Sequence, residues 1–463
     1  MKNYFDLIDQ TFDFPTEEFD VKEGTLSFNN VPIMELIEKY GTPLKLCYLP
    51  KISQQIQRAQ RVFKEAIKKQ NYQGDYIYTY CTKSSHFKHV IKETLKNNAQ
   101  LETSSHYDIE IIKSLYKSGD ITNDITILCN GFKPEPYKKA IVDLIKMGFH
   151  NCIPIVDNIE EIDYYDEHLD RVVNVGIRVA ADEEPDFGMY TSRLGIRYSE
   201  VVNLYQEKIA PNPNFKLKLL HFFINSGIRD TQYYWTELNK FIYKYTELKA
   251  LTPDIDSVDI GGGFPIKYSL SYNYDHEYMA SAIVEVIKDV CDGKKTPTPH
   301  IITEFGSYTV GESGAIIYSV LDEKLQNDKE AWYIIDGSFI THLPDSWGKN
   351  HKFIMLAINN WNNRFKQVHL GGITCDSDDF YNSEAHSANI YLPAFDKKDE
   401  KQYIGMFHTG AYQEAIAGYG GISHCLIPDP KMIIIDKDEN GNHKYEIFKE
   451  QTSSEKMLDI LGY

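Results

Sequence analysis

The sequence has no uninterrupted apolar run of membrane-spanning length, and its opening residues, Met-Lys-Asn-Tyr-Phe-Asp, contain no apolar signal core. It also lacks an excess of positive charge. Lys and Arg number 49 against 67 Asp and Glu, a formal net charge of −18. Such a balance argues against a nucleic-acid or anionic-membrane partner and is compatible with a cationic small molecule. The seven cysteines (Cys47, Cys81, Cys129, Cys152, Cys291, Cys375, Cys425) show no zinc-finger or Cys-x-x-Cys spacing, and their number is odd. A reducing compartment is the simplest reading, and we expect a cytoplasmic protein. There are no internal repeats or low-complexity segments. The polar run 436–443 lacks the closing glutamate of an EF-hand loop and reads as a hairpin turn. No residue pattern specifies a metal, and Mg²⁺ assistance is not derivable from these residues.

What is present is length, aromatic bulk and a regular alternation. The 463 residues suit two or three domains, and 33 Tyr with 23 Phe supply large buried or interface areas. From about residue 46, short runs rich in β-branched and aromatic residues alternate with helical patterns. The run 51–70 is the clearest helix, with Ile52, Ile56, Ala59, Val62, Phe63, Ala66 and Ile67 on one face. Strands are predicted at 76–81, 99–103, 125–129, 152–156, 172–179, 217–223, 257–260 and 300–304. Helices at 107–117, 136–147, 233–248 and 278–292 separate many of them. Alternating β and α implies a parallel sheet, and eight strands imply a closed (β/α)8 barrel of the TIM type. An open doubly wound sheet is disfavoured because no Gly-x-Gly-x-x-Gly follows the first strand. Beyond about residue 318 the pattern turns to strands (331–335, 368–373, 390–392, 403–407, 432–435) with little helix between. We therefore expect an N-terminal segment (1–45), a barrel (46–318) and a C-terminal β-rich domain (319–463). The run 25–28 is expected to add a strand to that last domain.

Barrel chemistry sits at the C-terminal strand ends. Those ends carry Lys83; Glu102, Ser104 and Ser105; Asn130 and Gly131; Asp157; Arg178; His221, Phe223 and Ser226; Asp259 with Gly261, Gly262 and Gly263; and Glu304. A lone lysine at a strand end is usually a solvated surface group. Here three members fit one cofactor. A lysine amine can condense with an aldehyde, a carboxylate can keep a pyridine nitrogen protonated, and consecutive glycines let backbone N–H groups close on a phosphate. Together they describe a pyridoxal-phosphate site.

At this point the sequence resembles a known family, the alanine-racemase-like (fold-type III) pyridoxal-phosphate decarboxylases, and within it the biosynthetic arginine decarboxylases. The resemblance rests on Tyr-Cys-Thr-Lys (80–83), Leu-Glu-Thr-Ser-Ser (101–105), Cys-Asn-Gly-Phe-Lys (129–133), Leu-His-Phe-Phe-Ile-Asn-Ser (220–226) and Val-Asp-Ile-Gly-Gly-Gly-Phe (258–264). Leu-Pro-Asp-Ser-Trp-Gly (343–348), Ile-Thr-Cys-Asp-Ser-Asp-Asp (373–379) and Gly-Ala-Tyr-Gln-Glu (410–414) extend it. The third-last and second-last of these look most like the arginine branch. The long bacterial arginine decarboxylases carry inserted segments that this chain lacks.

The resemblance implies roles. Lys83 should carry the cofactor covalently, and Glu304 should pair with the pyridine nitrogen. Gly261, Gly262, Gly263, Ser226 and Tyr412 should hold the phosphate. Glu102 and Arg178 should support the ring and the lysine. Cys375 should enter from the β-rich domain of a second subunit and reprotonate the α-carbon, which makes a homodimer obligatory. Asp376 should face the distal cation of the substrate, with Asp378 and Asp345 as further cation-binding carboxylates. Asp345 after a proline also suits a plain turn. Two positions depart from the family. Phe223 stands where a second histidine stacks on the ring, and Ser307 in Glu-Phe-Gly-Ser (304–307) replaces an arginine near the phosphate. The expected reaction is decarboxylation of L-arginine to agmatine. The alternatives are another basic amino acid or polyamine precursor (ornithine, lysine, carboxynorspermidine), or a catalytically inactive regulatory homologue. meso-Diaminopimelate fits less well, because its distal carboxylate would meet Asp376 and Asp378.

Overall fold

The computed structural model describes residues 2–8, 13–181, 192–327 and 329–463. It divides into two compact units. One comprises Ser53–Pro265 with Tyr274–Thr309; the other comprises Met1–Ile52, Ile266–Asn273 and Val310–Tyr463.

The first unit is the barrel. Its strands are Tyr76–Cys81, Gln100–Thr103, Ile127–Cys129, Cys152–Val156, Val173–Arg178, Phe215–His221, Ser257–Asp259 and His300–Phe305. Each pairs in parallel with the next, and the eighth closes on the first with Glu304 opposite Thr79 and Phe305 opposite Tyr80. The strands are buried on both faces, as barrel strands covered by helices must be. Leu128, Ile153, Ile155, Leu219 and Ile302 fill the interior. Helices His106–Lys117, Glu135–Lys146, Gln232–Leu251 and His276–Lys294 fall where the apolar periodicity placed them. The long helix Leu49–Gln70 buries Ile52, Ile56, Ala59, Val62, Phe63 and Ala66, and the Phe63 ring stacks on Tyr76 at 4.2 Å.

The second unit is β-rich. A ten-stranded sheet includes Leu44–Tyr48, Gly314–Leu325, Ala331–Ile335, Phe365–Gly371, Tyr403–Phe407, Lys431–Lys437 and His443–Lys449. The N-terminal segment adds strands to this unit, as expected for the run 25–28, but not to the large sheet. Thr25–Phe28 forms a separate three-stranded sheet with Phe19–Lys22 and Val31–Pro32, and Leu44–Tyr48 is the strand that enters the large sheet. Leu44–Tyr48 runs without a turn into the helix Leu49–Gln70, so sequence periodicity masks it. The run 436–443 is a hairpin turn, with Asp438 Oδ1 accepting from the Asn440 and Asn442 N–H groups at 2.9 and 2.8 Å.

A buried charge cluster ties separate segments of this unit together. Lys51 Nζ lies 2.6 Å from Glu18 Oε1 and 3.3 Å from Glu312 Oε2, and His408 Nε2 lies 3.4 Å from Glu18 Oε1. His408 Nδ1 contacts the Lys267 carbonyl at 2.5 Å. Burial alone would push the Glu18 carboxyl up, but His408, Lys51 and Lys267 together hold it well below the usual carboxylate range. Groups so paired are costly to break one partner at a time, because the remaining charge is left buried. Among the described residues, no helix is long and apolar enough to cross a membrane.

Candidate active site

Lys83 sits in the short 3-10 turn Thr82–Ser84 that follows the first barrel strand. The turn is pinned from three sides. Thr82 Oγ1 donates to the Glu102 carbonyl at 2.9 Å, Ser84 Oγ to the Cys81 carbonyl at 2.8 Å, and Tyr80 OH to the Ser85 carbonyl at 2.8 Å. Lys83 Nζ then lies 2.7 Å from Glu102 Oε2, with the lysine side chain 41% exposed and the carboxylate fully buried. A half-exposed amine over a fully buried carboxylate is fixed in place while its reactive end stays accessible.

Glu304, near the end of the eighth strand, is the centre of a second cluster. Its Oε1 accepts from Asn130 Nδ2 at 2.5 Å, and its Oε2 lies 3.2 Å from His221 Nε2. Burial would push the Glu304 carboxyl up. His221, Lys83 and a hydrogen bond from Asp259 reverse that and hold it at about 2, so it stays ionised near neutral pH. Burial and then the Glu304 charge push Asp259 well above the usual carboxylate range, so it is the protonated partner of the two. Burial likewise raises Glu102, against the pull of Lys83. Arg178 stands among Asp157, Glu304, Glu102 and Asp259; burial lowers its guanidinium, but arginine keeps its charge in proteins. Among the described residues, several buried polar atoms here have no hydrogen-bond partner: Glu102 Oε1, Asn130 Oδ1 and His221 Nδ1. Orphaned polar atoms cost free energy and call for a polar partner.

The third component is the glycine turn after the seventh strand. Gly261 and Gly263 have φ of +70° and +104°, a region that favours glycine. A Cβ on Gly261 would stand 2.6 Å from the Phe222 carbonyl oxygen, and one on Gly263 would stand 2.6 Å from Gly227 Cα. The loops after the sixth and seventh strands thus pack backbone on backbone, joined by Ile228 N–H donating to the Gly263 carbonyl at 3.0 Å. Gly261 N–H donates to Asp259 Oδ1 at 2.8 Å, whereas Gly262 and Gly263 N–H make no hydrogen bond among the described residues. Half-buried Ser226 adjoins Gly227, and the Phe223 ring lies over Gly261. Lysine, buried ionised carboxylate and open N–H turn are a donor set that fits pyridoxal phosphate.

Not every polar strand end serves this site. Ser105 caps the helix His106–Lys117, and Ser104 N–H donates to Asp108 Oδ2 at 2.8 Å. Asp157 Oδ1 accepts from Gly195 N–H at 2.7 Å. Ser307 opens the short helix Ser307–Val310. Conversely, Asn130, His221 and Asp259 contact or charge-couple to Glu304 directly, although the sequence assigned them no role. Their position at strand ends was the available signal.

The other expected site residues belong to the β-rich unit. Tyr412 has φ +67° and precedes the helix Gln413–Ala417. Cys375 is exposed, with its Sγ 3.5 Å from Cys425 Sγ. Asp376 is 38% exposed, and Asp378 Oδ2 accepts from Trp347 Nε1 at 3.4 Å beside an indole that is 60% exposed. Asp345 is already committed to local structure: its carboxylate lies 2.9 Å from Lys349 Nζ and accepts from Gln413 Nε2 at 2.9 Å. Asp379, which drew no assignment, is buried and accepts from Phe339 N–H at 2.7 Å and Thr374 Oγ1 at 2.6 Å, shaping the loop that presents Cys375 and Asp376.

The family described as pyridoxal-dependent decarboxylase, pyridoxal binding domain, matches residues 52–311. The chain belongs to this family. It is a pyridoxal-phosphate-dependent carboxy-lyase with a (β/α)8 barrel and a separate β-rich domain. Among similar proteins are the biosynthetic arginine decarboxylases of Bacteroides thetaiotaomicron (22% identical, over 94% of this chain and 86% of the relative) and Shewanella frigidimarina (23%, over 87% and 80%). Solved structures of the same fold include the biosynthetic arginine decarboxylase of Campylobacter jejuni, with a TM-score of 0.79, 21% identity, and coverage of 97% of this chain and 89% of that one. Diaminopimelate decarboxylase from M. jannaschii has a TM-score of 0.74 at 18% identity, covering 94% and 96%. The decarboxylase family accounts for the lysine and glycine-turn geometry.

Proposed function

We propose that this decarboxylase converts L-arginine to agmatine and CO₂ for polyamine synthesis, as a cytoplasmic homodimer with shared active sites. Bound pyridoxal phosphate supplies a conjugated ring that draws in the electrons of the breaking bond between the α-carbon and its carboxylate. Lys83 would be the attachment point, with Glu102 Oε2 2.7 Å from its Nζ to orient the amine. Glu304, kept ionised and oriented by Asn130 and His221, holds a proton on the pyridine nitrogen. The N–H groups of Gly262 and Gly263, with Ser226 and Tyr412, would hold the phosphate, and Phe223 would supply an apolar surface for the ring. Arg178 offsets the negative charge of the surrounding carboxylates. Cys375 of a second subunit gives its thiol proton to the α-carbon after CO₂ leaves.

The observation that carries the substrate reading is the exposed patch that follows Cys375. Asp378 accepts from the Trp347 indole N–H at 3.4 Å, leaving the 60% exposed ring open, and Asp376 Oδ1 accepts from the Asp378 N–H at 2.9 Å. A guanidinium is planar, accepts bidentate pairing with a carboxylate and stacks on aromatic rings; an ammonium is held more as a point charge. The curated arginine decarboxylases, similar over most of the chain, support the same reading. The test is CO₂ release from a panel of basic amino acids. Arginine is expected to be preferred over ornithine and lysine, and Asp376→Asn to raise the arginine KM more than it lowers cofactor occupancy. A wild-type protein that decarboxylates ornithine or lysine better than arginine would overturn the substrate, leaving fold and cofactor in place.

A further inference from the structure

We propose that Cys375, His424 and Cys425 form a site for a thiophilic divalent cation of the Zn²⁺ type, bound by three protein ligands with a fourth position left to solvent. The residues come from two loops of the β-rich unit, the 372–379 loop and the turn His424–Leu426. A sulfur or nitrogen ligand atom from each lies within 4.8 Å of the others. The two sulfurs are 3.5 Å apart, which is close to the ~3.8 Å edge of a tetrahedron built on Zn–S bonds of about 2.3 Å. Asp376 Oδ2 lies 3.7 Å from His424 Nε2. A carboxylate facing one imidazole nitrogen orients the ring and leaves the other nitrogen for a metal. All three ligand residues are exposed on the single chain. Thiolate and imidazole together select zinc-like ions over Mg²⁺ or Ca²⁺, which take oxygen ligands.

The site has a functional consequence that rests on the reading of Cys375 as proton donor. A thiol ligated to zinc loses its proton to solvent, so an occupied site has no Cys375 S–H to deliver. The cation would then act as an inhibitor, and His424 and Cys425, which take no part in the reaction proposed above, would be the means of holding it.

The experiment uses the cofactor-loaded enzyme with a phosphine reductant, titrated with Zn²⁺ against a chromophoric chelator. Co²⁺ in place of Zn²⁺ reports thiolate ligation through its charge-transfer bands. We expect one cation per chain, thiolate bands with Co²⁺, and loss of decarboxylation as Zn²⁺ fills the site. Cys425→Ser and His424→Ala should each weaken binding at least about tenfold, keep basal activity and resist Zn²⁺. Absence of binding, a Co²⁺ spectrum without thiolate bands, or binding unchanged in both variants would overturn the site. A Cys375–Cys425 disulfide in place of cation binding would do the same. Binding that behaves as expected but leaves wild-type turnover untouched supports the site and removes Cys375 from the proton transfer.

Discussion

Glu304→Gln is expected to lower turnover about 10²–10³-fold, or ~3–4 kcal/mol in the barrier, while leaving the fold intact. The side chains are nearly isosteric, and the amide oxygen still accepts from Asn130. What disappears is the charge that His221, Lys83 and protonated Asp259 hold ionised at about 2 despite burial. In the proposed site that charge would stabilise a protonated pyridine nitrogen, most of all as electrons arrive on the ring. The loss should therefore fall on kcat more than on KM. Because the carboxylate is already ionised far below neutrality, the wild-type profile should show no acid limb assignable to Glu304 between pH 5 and 8. Unchanged turnover in Glu304→Gln would show that the cluster does not serve the ring.

Mixing inactive Lys83→Ala and Cys375→Ala homodimers is expected to restore activity. A two-fold dimer that shares its sites gains one complete site in each mixed dimer. With random exchange about half the dimers are mixed, so recovery should approach about a quarter of wild type. Subunit exchange is verified by tagging one variant. Verified exchange without recovery would place both residues in one chain's site and remove the argument for an obligatory dimer. The two residues belong to different compact units of the chain, and Cys375 stands exposed on the β-rich one, which is the disposition this exchange tests.

Much of the barrel was legible because its physics is local. Strands buried on both faces read as apolar and β-branched runs, and helices carry the 3.6-residue period, so eight strand ends could be numbered before any contact was known. Lys83, Glu102, Glu304 and the three glycines followed from their place at those ends. His221 stood among the strand ends without a role, because the family's second histidine, two residues on, gives way to Phe223. In the structure the strand ends at His221, and the imidazole faces Glu304. Asp259 and Asn130 escaped because nothing in a linear sequence says which strand-end groups meet across a barrel. The strand Leu44–Tyr48 was hidden by its continuity with a helix, and the assignment of Ile266–Asn273 to the β-rich unit reflects long-range contacts such as Lys267 with His408. Cys375 and Cys425, fifty residues apart, match no spacing rule; only folding brings their sulfurs together.

The central claim is that Lys83 is the attachment point of the cofactor, and borohydride reduction of the cofactor-saturated protein followed by peptide mapping tests it most directly. The account predicts reduced pyridoxyl label on Lys83 alone, and none on Lys83→Ala. Label on any other lysine, or none on the saturated wild-type protein, would contradict it.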